Sequence, residues 1–480
     1  MGKRNQKEKD KTGAQSLNCK LLTTLLLIFI VYPFTVVHFL PPSFSPYPYD
    51  LSLCLSKLPT TSPPHDNVLL PSGALKRSFT THFTAAYAFI LMSAYRGGLH
   101  SFTVIALSPK FLHFYSAPSY QCQWVPRNSS APTATAAGHK YLPQRLGFSR
   151  VYTFVVINCA FSDPIGLDGS GGGSLLLVIT STNGDKTLNV TDTVEALVEQ
   201  PNTLNASYYT DPQPKYEYLY CGSPLFGKIS PQRVREWLAY HVMLFGGNSH
   251  FVMYDAGGVD EAVIEVLRPW MEKGFVSLHD VREQQRFDGF YFYNNQFLIV
   301  NDCLHRYKFD AKWIFFFDVD EFIYVGKNGS IKSVTDSVSG YMQFTIPERI
   351  MACDLCLSED EGLSNRKWGF EKLVYRDVEK VAMKMHKYAV QPRNVFATGV
   401  HQSLHGAGKL THQIEDLIRY YHYPGVVAKR KDPCHKFYNA TAITLDGNPY
   451  VMDTELRGIA EAVKRFELDT IGPRLQATQE

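Results

Sequence analysis

Residues 311–325 read AKWIFFFDVDEFIYV, and this stretch decides the fold. The run from Ile314 to Phe317 is wholly apolar, which is typical of a strand buried on both faces of a sheet. Asp318 and Asp320 follow, and carboxylates at positions i and i+2 lie on one side of an extended segment. Both can therefore reach one ion, and their hard oxygen atoms suit Mg²⁺ or Mn²⁺. The pattern predicts a metal-binding pair at the end of a buried strand; a solvated loop is the alternative interpretation.

Helix and strand patterns alternate along the chain from residue 216 onward. Three helical patterns lie between strand-like segments, at 231–245, 260–271 and 294–308. This alternation predicts an α/β domain with a mostly parallel sheet covered by helices on both faces. In such sheets ligands bind at the carboxyl ends of the strands, where Asp318 and Asp320 are expected.

The chain before residue 216 has a different pattern. From 75 to 198, apolar and β-branched runs such as RVYTFVVINCAF alternate with turn signals. This predicts an antiparallel β-sandwich of roughly 120 residues. The Pro- and Ser-rich segment 41–74 predicts a stem, and the polar segment 199–215 predicts a linker.

The N-terminal 40 residues predict a membrane anchor. Residues 1–20 contain six Lys and Arg against two acidic residues, and residues 21–40 carry no formal charge. A helix over 21–40 can cross a hydrocarbon core of ~30 Å, and the basic tail keeps the N-terminus cytosolic. We therefore expect a single-pass type II membrane protein with a cytosolic tail (1–20), a signal anchor (21–40) and a luminal remainder. A cleaved signal peptide is the alternative interpretation.

Glycosylation triplets and cysteines agree with a luminal location. Five N-x-S/T triplets follow the apolar run, at Asn128, Asn189, Asn205, Asn328 and Asn439. Eight of the nine cysteines also follow it, and an even number allows four disulfides. The CxxC pair Cys353 and Cys356 favours structural disulfide bonding over zinc or redox chemistry, because no second CxxC accompanies it.

Composition and charge exclude several classes of protein. The 480 residues are 45% hydrophobic and 19% charged, which is too apolar for a disordered chain and too mixed for a coiled coil or a multi-span membrane protein. The net charge is +3, and the basic excess lies in the N-terminal tail. We therefore predict no nucleic-acid partner.

Several longer motifs resemble a known family. SPLFGKISPQRVREWLAYH (223–241), HFVMYDAGG (250–258) and WIFFFDVDEFI (313–323), in this order behind an anchor, are similar to glycosyltransferase family 92, most closely to its plant β-1,4-galactan synthases. The resemblance covers roughly residues 216–440, and further similar pieces are GFEKLVYR (369–376), KYAVQP (387–392), GVH (399–401) and YYHYPG (420–425).

The resemblance implies a fold, a reaction and its participants. It implies a glycosyltransferase A type, Rossmann-like catalytic domain over 216–480 and a carbohydrate-binding module over 75–198. The implied reaction transfers galactose from UDP-galactose to the β-1,4-galactan side chains of pectin in the Golgi lumen, with Mn²⁺ as cofactor. A second copy of the chain is a further candidate partner.

A fold of this type also implies which residues hold the ion. Asp318 and Asp320 would bind it together with a C-terminal histidine, for which His422 is the first candidate and His401 the reserve. A histidine among tyrosines is as readily a packed or hydrogen-bonded structural residue, so this alternative stays open for His422.

Four other residues are candidates for donor binding and for the catalytic base. Besides Asp318, two residues are candidates for binding the donor. Lys387 could contact the phosphates, and its alternative is an exposed lysine. Asp255 could contact the nucleoside, and its alternative is a helix cap. Forming a β linkage from an α-linked UDP-sugar inverts the anomeric centre and requires a base. Glu371 is the first candidate for this base, and its alternative role is a helix salt bridge. Glu361 is the second candidate, and its alternative is a residue of a solvated loop.

Overall fold

A computed structural model gives the fold of the chain, and its first described residue is Val68. The described residues are 68–83, 88–109, 118–141, 152–167, 172–182, 189–211, 213–283, 296–326, 329–378, 386–403, 405–411, 414, 416–425, 427–428 and 434–478. The predicted tail 1–20, the predicted anchor 21–40 and most of the predicted stem lie outside them. In the described part, no helix is both long enough and apolar enough to cross a membrane.

The described chain begins with strands joined by turns. The first ten are β1 (Val68–Leu69), β2 (Leu75–Lys76), β3 (Thr80–Phe83), β4 (Ala88–Arg96), β5 (Ser101–Pro109), β6 (Ser119–Pro126), β7 (Ala134–Tyr141), β8 (Tyr152–Ala160), β9 (Gly173–Thr182) and β10 (Asn189–Glu199). Strands β3 to β10 pair antiparallel in one sheet, in the order β10-β9-β6-β7-β8-β5-β4-β3. This small sheet curls, since Arg96 on β4 pairs with Glu199 on β10 at 2.6 Å.

Helices and strands alternate in the next segment, as the sequence predicts. They are α1 (Ala206–Thr210), β11 (Tyr216–Cys221), α2 (Pro231–Phe245), β12 (Ser249–Asp255), α3 (Glu261–Glu272), β13 (Val276–Asp280), α4 (Gln296–Arg306), β14 (Ala311–Phe316) and β15 (Glu321–Val325). The predicted bounds of α2 are confirmed. The helix begins at Pro231 because the Ser230 side chain accepts from the Arg233 N–H and proline is favoured in the first turn.

The remaining segment contains shorter elements. They are α5 (Ile331–Ser337), β16 (Gln343–Ile350), β17 (Leu355–Leu357), α6 (Gly369–Lys372), β18 (Tyr375–Asp377), β19 (His386–Val390), β20 (Val395–Ala397), β21 (His405–Gly406), β22 (Leu410–Thr411), β23 (Ile418–His422), β24 (Lys436–Tyr438), β25 (Ala442–Leu445), β26 (Asn448–Met452) and α7 (Ala460–Ile471).

A large mixed sheet organises this part of the chain. Its order is β1-β2-β13-β12-β11-β14-β19-β16-β23-β15, and β22 also pairs with β16. Strands β13, β12, β11 and β14 are parallel neighbours, so their carboxyl ends lie at one edge. Beyond β14 the sheet continues with the antiparallel strand β19. The predicted mixed α/β class is confirmed.

Helix α4 joins the two sheets through a shared apolar core. It contacts β4, β5 and β8 of the small sheet and β11 of the large sheet. The rings of Phe154 on β8 and Phe297 on α4 stack with their centroids 4.9 Å apart. Leu298 and Leu304 of α4 belong to the same buried cluster as Ile105 of β5.

Asp302 of α4 ties the two sheets together with polar contacts inside this core. Its Oδ1 accepts from Arg77 Nη2 (2.8 Å), the Ser93 hydroxyl (2.8 Å) and the Tyr95 hydroxyl (2.5 Å). Its Oδ2 accepts from the Tyr254 hydroxyl on β12 at 2.8 Å. Burial alone would raise the pKa of Asp302, but Arg77 and these donors hold it below its usual value.

Structural disulfides are confirmed for three pairs in the described part of the chain. They are Cys122–Cys159, Cys221–Cys303 and Cys356–Cys434. Cys356 of the CxxC pair therefore bonds to Cys434 and not to its neighbour Cys353. Cys54 lies outside the described residues.

Candidate metal centre

The Asp318-Val319-Asp320 turn lies between β14 and β15, at the carboxyl edge of the parallel strands. Strand β15 then pairs antiparallel with β23, and the register sets Glu321 opposite His422. Two segments that are far apart in the sequence therefore meet at the turn.

Three side chains at this meeting point could hold a metal ion. Oxygen atoms of Asp320 and Glu321 and a nitrogen of His422 all lie within 4.8 Å of one another. His422 Nδ1 lies 2.6 Å from Glu348 Oε1, to which it can donate, and His422 Nε2 lies 3.7 Å from Asp320 Oδ2. Two carboxylates and one imidazole suit Mn²⁺, and a carboxylate behind the histidine is usual at metal sites. The residues present therefore fit a divalent cation.

The protonation of this group is shifted from ordinary values. Burial disfavours the imidazolium of His422, but the nearby carboxylates of Asp320 and Glu348 outweigh burial and raise its pKa to about 10. Burial raises the pKa of Glu321 to about 8, even though the Lys387 ammonium opposes the shift. A cation that binds these atoms must displace protons, so metal binding and proton release are linked here.

Asp318 lies beside this group and is occupied by other partners. Its Oδ2 accepts from Lys387 Nζ at 2.6 Å, and its Oδ1 accepts from the Ser223 hydroxyl and from Gln296 Nε2 at 3.2 Å. The Asp318 side chain is 28% exposed, whereas Lys387 is 3% exposed. Burial would raise the pKa of Asp318, but Lys387 and the hydrogen-bond donors hold it below its usual value. The structure thus brings the predicted residues Asp318 and Lys387 together as an ion pair.

Side chains of α2 hold the outer edge of β15, the last strand in the order of the large sheet. Trp237 Nε1 donates to the backbone carbonyls of Glu321 (2.8 Å) and Asp318 (3.2 Å). The Tyr240 hydroxyl donates to the Ile323 carbonyl at 2.6 Å, and the Ile323 N–H donates to His241 Nε2 at 3.2 Å. These contacts satisfy backbone N–H and carbonyl groups of β15 that a neighbouring strand would otherwise bind. They also fix both ends of the turn.

Comparison with known proteins decides the family. The profile of glycosyltransferase family 92 matches residues 216–457, which is half of the chain. The chain belongs to glycosyltransferase family 92. The resemblance of the motifs to this family is confirmed, and the protein is a glycosyltransferase.

Three curated relatives come from Arabidopsis thaliana, and each is named a galactan beta-1,4-galactosyltransferase. The chain is 54% identical to GALS2 over 84% of its own length and 78% of the relative. It is 47% identical to GALS3 over 96% of its own length and 94% of the relative. It is 42% identical to GALS1 over 84% of its own length and 80% of the relative.

Asp255 is the predicted nucleoside contact of this family 92 enzyme. It is the last residue of β12 and lies at the carboxyl edge of the parallel strands. Its Oδ1 accepts from the backbone N–H groups of Gly257 (2.8 Å) and Val259 (3.1 Å). Its Oδ2 lies 3.5 Å from Arg282 Nε. Burial raises the pKa of Asp255, against the effect of these partners. The Asp255 side chain therefore holds the loop that follows β12. This role resembles the helix-cap alternative, but the residue that caps α3 is Asp260.

The two candidate bases lie outside the hydrogen-bond network of the metal centre. Glu371 on α6 accepts from the Trp368 N–H (3.2 Å) and from Lys464 Nζ (2.7 Å), which matches the salt-bridge alternative. Glu361 is exposed and follows a short 3₁₀ turn. Within the described residues, no hydrogen bond or ion pair joins either side chain to Asp320 or His422. Helix α6 nevertheless adjoins the site, since Gly369 and Phe370 line a small cavity together with Asp320.

His401, the reserve ligand, is near enough for the charges of Lys387 and Asp318 to act on it, but its hydrogen-bond partner lies outside the group of ligand atoms. Its Nδ1 is 3.1 Å from the backbone carbonyl of His386, and burial lowers its pKa. It is absent from the group of ligand atoms that the described residues form around His422.

Four residues of the site were missed by the sequence reasoning. They are Ser223, Gln296, Glu321 and Glu348. Glu321 could have been found, because it extends the carboxylate run directly. The other three lie on β11, α4 and β16 or next to them, and only the order of the strands brings them to the turn.

Proposed function

We propose that the protein transfers galactose from UDP-galactose to β-1,4-galactan side chains of pectin, with inversion and with Mn²⁺ as cofactor. The observation that carries the proposal is the group of Asp320, Glu321 and His422 at the carboxyl edge of the parallel strands, with Glu348 behind the histidine. Three relatives named galactan beta-1,4-galactosyltransferases, at 42 to 54% identity, support the choice of donor and acceptor. The strand order supports a glycosyltransferase A type fold.

Asp320, Glu321 and His422 would hold the cation in this proposal. When bound, the cation offsets the negative charge that develops on the departing diphosphate. Glu348 accepts the Nδ1 proton of His422 and thereby keeps Nε2 directed at the carboxylates. The Gly425 N–H donates to Asp320 Oδ2 at 3.2 Å and helps to fix that side chain. Lys387 supplies a buried positive charge beside the turn, where it can also attract donor phosphates.

The base remains a proposal, with Glu371 first and Glu361 second. A base must be free to accept the proton of the acceptor hydroxyl, and Glu371 lies 2.7 Å from Lys464 Nζ in the structure. Glu371→Gln should lower turnover while Mn²⁺ and UDP still bind. Normal turnover of Glu371→Gln together with a loss in Glu361→Gln would move the role to Glu361.

We also propose that residues 75–198 form a carbohydrate-binding module. Aromatic side chains in the described strands of this unit, including Phe102, Tyr120 and Trp124, are buried.

The proposed location is the Golgi membrane, with a type II topology and a luminal catalytic domain. Asn128 and Asn439 are exposed in the structure and are available for glycosylation. Glycosidase treatment of the protein from its native membrane should lower its apparent mass. An unchanged mass, together with digestion by protease outside sealed vesicles, would contradict this topology.

An assay with a panel of donors tests the proposed reaction. The purified protein should release UDP from UDP-galactose and lengthen a β-1,4-galactan oligosaccharide in the presence of Mn²⁺. A chelator should abolish the reaction, and added Mn²⁺ should restore it. Transfer from a different UDP-sugar would correct the donor, and no transfer from any donor would indicate a glycan-binding protein without activity.

A further inference from the structure

Gln296, the first residue of α4, uses only half of its side-chain amide. Its Nε2 donates to Asp318 Oδ1 at 3.2 Å. Its carbonyl oxygen Oε1 has no hydrogen-bond partner in the described part of the chain, although the residue is only 4% exposed. Burying an acceptor without a hydrogen-bond partner is unfavourable. Such groups are uncommon in native proteins and call for an explanation.

Turning the amide around does not remove the unpaired oxygen. Asp318 already accepts hydrogen bonds from Lys387 Nζ at 2.6 Å and from the Ser223 hydroxyl. An inverted amide would place Oε1 against a carboxylate oxygen, acceptor against acceptor. The carboxylate therefore fixes the direction of the amide. The Ser223 hydroxyl cannot serve Oε1 instead, because it already donates to Asp318.

A ligand at this position must bring a hydrogen-bond donor. The diphosphate of a nucleotide sugar offers only acceptor oxygens, and Oε1 would repel them. The ribose and the hexose on either side of the diphosphate offer hydroxyl groups, which can donate. Asp318 is two residues from Asp320, so a donor whose diphosphate lies at the metal centre would place one of these sugars near Gln296.

We propose that Gln296 Oε1 accepts a hydrogen bond from a sugar hydroxyl of the bound nucleotide sugar. The inference rests on the proposed function, since it takes the donor to bind beside Asp318. It makes Gln296 a specificity-determining residue: a site built to bind a hydroxyl discriminates against a ligand that lacks it, because the buried acceptor is then left unpaired.

Binding measurements on the full chain with Mn²⁺ test this role. The variant Gln296→Met keeps the length of the side chain but removes both the donor to Asp318 and the acceptor Oε1. Ser223→Ala is the matched control, since it removes only a donor to Asp318. We expect Gln296→Met to weaken binding about tenfold more than Ser223→Ala does.

Two ligands distinguish the source of the hydroxyl. If Gln296→Met lowers the affinity for UDP-galactose but not for UDP, the hydroxyl belongs to the hexose. If it falls equally for both, the hydroxyl belongs to the ribose. Both results support the inference. If Gln296→Met and Ser223→Ala behave alike with both ligands, Oε1 binds only water and the inference is overturned.

The failure of the proposed function would give a different result. Wild-type protein would then bind neither UDP nor UDP-galactose in the presence of Mn²⁺. Thermal melting verifies that each variant is folded. Gln296→Ala, which a helix accommodates readily, replaces Gln296→Met if the methionine variant does not fold.

Discussion

Among the described residues, Asp302 and Asp318 each pair with a buried basic side chain, and their surroundings differ. Asp302 and Arg77 have side chains that are 0% exposed, and both oxygens of Asp302 accept hydrogen bonds from neighbouring elements. Asp318 pairs with the buried Lys387, but its own side chain is 28% exposed. Gln296 donates to Asp318, and its Oε1 has no hydrogen-bond partner among the residues that the structure describes.

The comparison shows how one kind of ion pair serves two purposes. Around Asp302 both carboxylate oxygens are buried and accept hydrogen bonds from protein side chains, so the pair holds the two sheets together. Around Asp318 the pair is open on one side and adjoins the three side chains that could hold a metal ion, Asp320, Glu321 and His422. We infer that stability is concentrated at the first site and chemistry at the second.

The largest expected effect comes from removing the small sheet. A chain that begins at Tyr216 lacks β1 to β10, and it leaves the apolar face of α4 exposed and Asp302 without Arg77. We expect it not to fold, because the two sheets share one buried core. Circular dichroism and the cooperativity of thermal melting measure this. A soluble chain that melts cooperatively and transfers to short oligosaccharides would show that the sheets are independent.

Substitution of Asp302 should have the next largest effect. Asp302→Asn leaves Arg77 buried without its counter-ion, and we expect a loss of about 3–5 kcal/mol in the free energy of unfolding. Urea denaturation measures it. Asp336→Asn is the control, since it breaks an exposed pair with Lys332 and should leave the free energy of unfolding nearly unchanged. Equal losses in the two variants would contradict a special role for the buried pair.

The stability that Asp302 contributes should also depend on pH. Its pKa in the folded protein is below the usual 3.8, so the contribution is complete above that value and is lost as the pH falls through the folded-state pKa. The difference between wild type and Asp302→Asn should be constant from pH 7 to about pH 5 and should shrink as the pH falls further.

At the open site, the carboxylate behind the histidine should control metal affinity. Glu348→Gln keeps a hydrogen-bond acceptor for His422 but removes the charge, and we expect Mn²⁺ affinity to fall by about 10- to 100-fold. Calorimetric titration measures it, and the exposed Glu265→Gln on α3 is the control. Unchanged affinity in Glu348→Gln would show that His422 does not bind the ion.

The smallest effect is expected from loosening the turn through α2. Trp237→Phe removes the donor to the carbonyls of Asp318 and Glu321, and we expect a severalfold loss of Mn²⁺ affinity, or about 1 kcal/mol. Trp270→Phe is a matched control, because Trp270 is also buried and its Nε1 has no hydrogen-bond partner in the described residues. If both variants bind Mn²⁺ equally, the contacts of Trp237 serve stability alone.

Much of the fold follows from local sequence patterns. The capped start of α2 at Pro231 and the break after the apolar run of β14 are local signals, and the structure has both. The meeting of Asp320 with His422 depends on the pairing of β15 with β23, which no local pattern sets. For the same reason the sequence did not reveal Glu348 behind His422 or Gln296 beside Asp318.

Titration of Mn²⁺ into wild type and Asp320→Asn tests most directly whether the open site is a metal centre. The substitution keeps the size of the side chain and removes its charge. We expect wild type to bind one Mn²⁺, and Asp320→Asn to bind it at least about 100-fold more weakly, to lose about 10²- to 10³-fold in turnover, and to melt at the same temperature. Wild-type Mn²⁺ affinity in Asp320→Asn, or full activity of that variant in the presence of a chelator, would contradict the metal assignment.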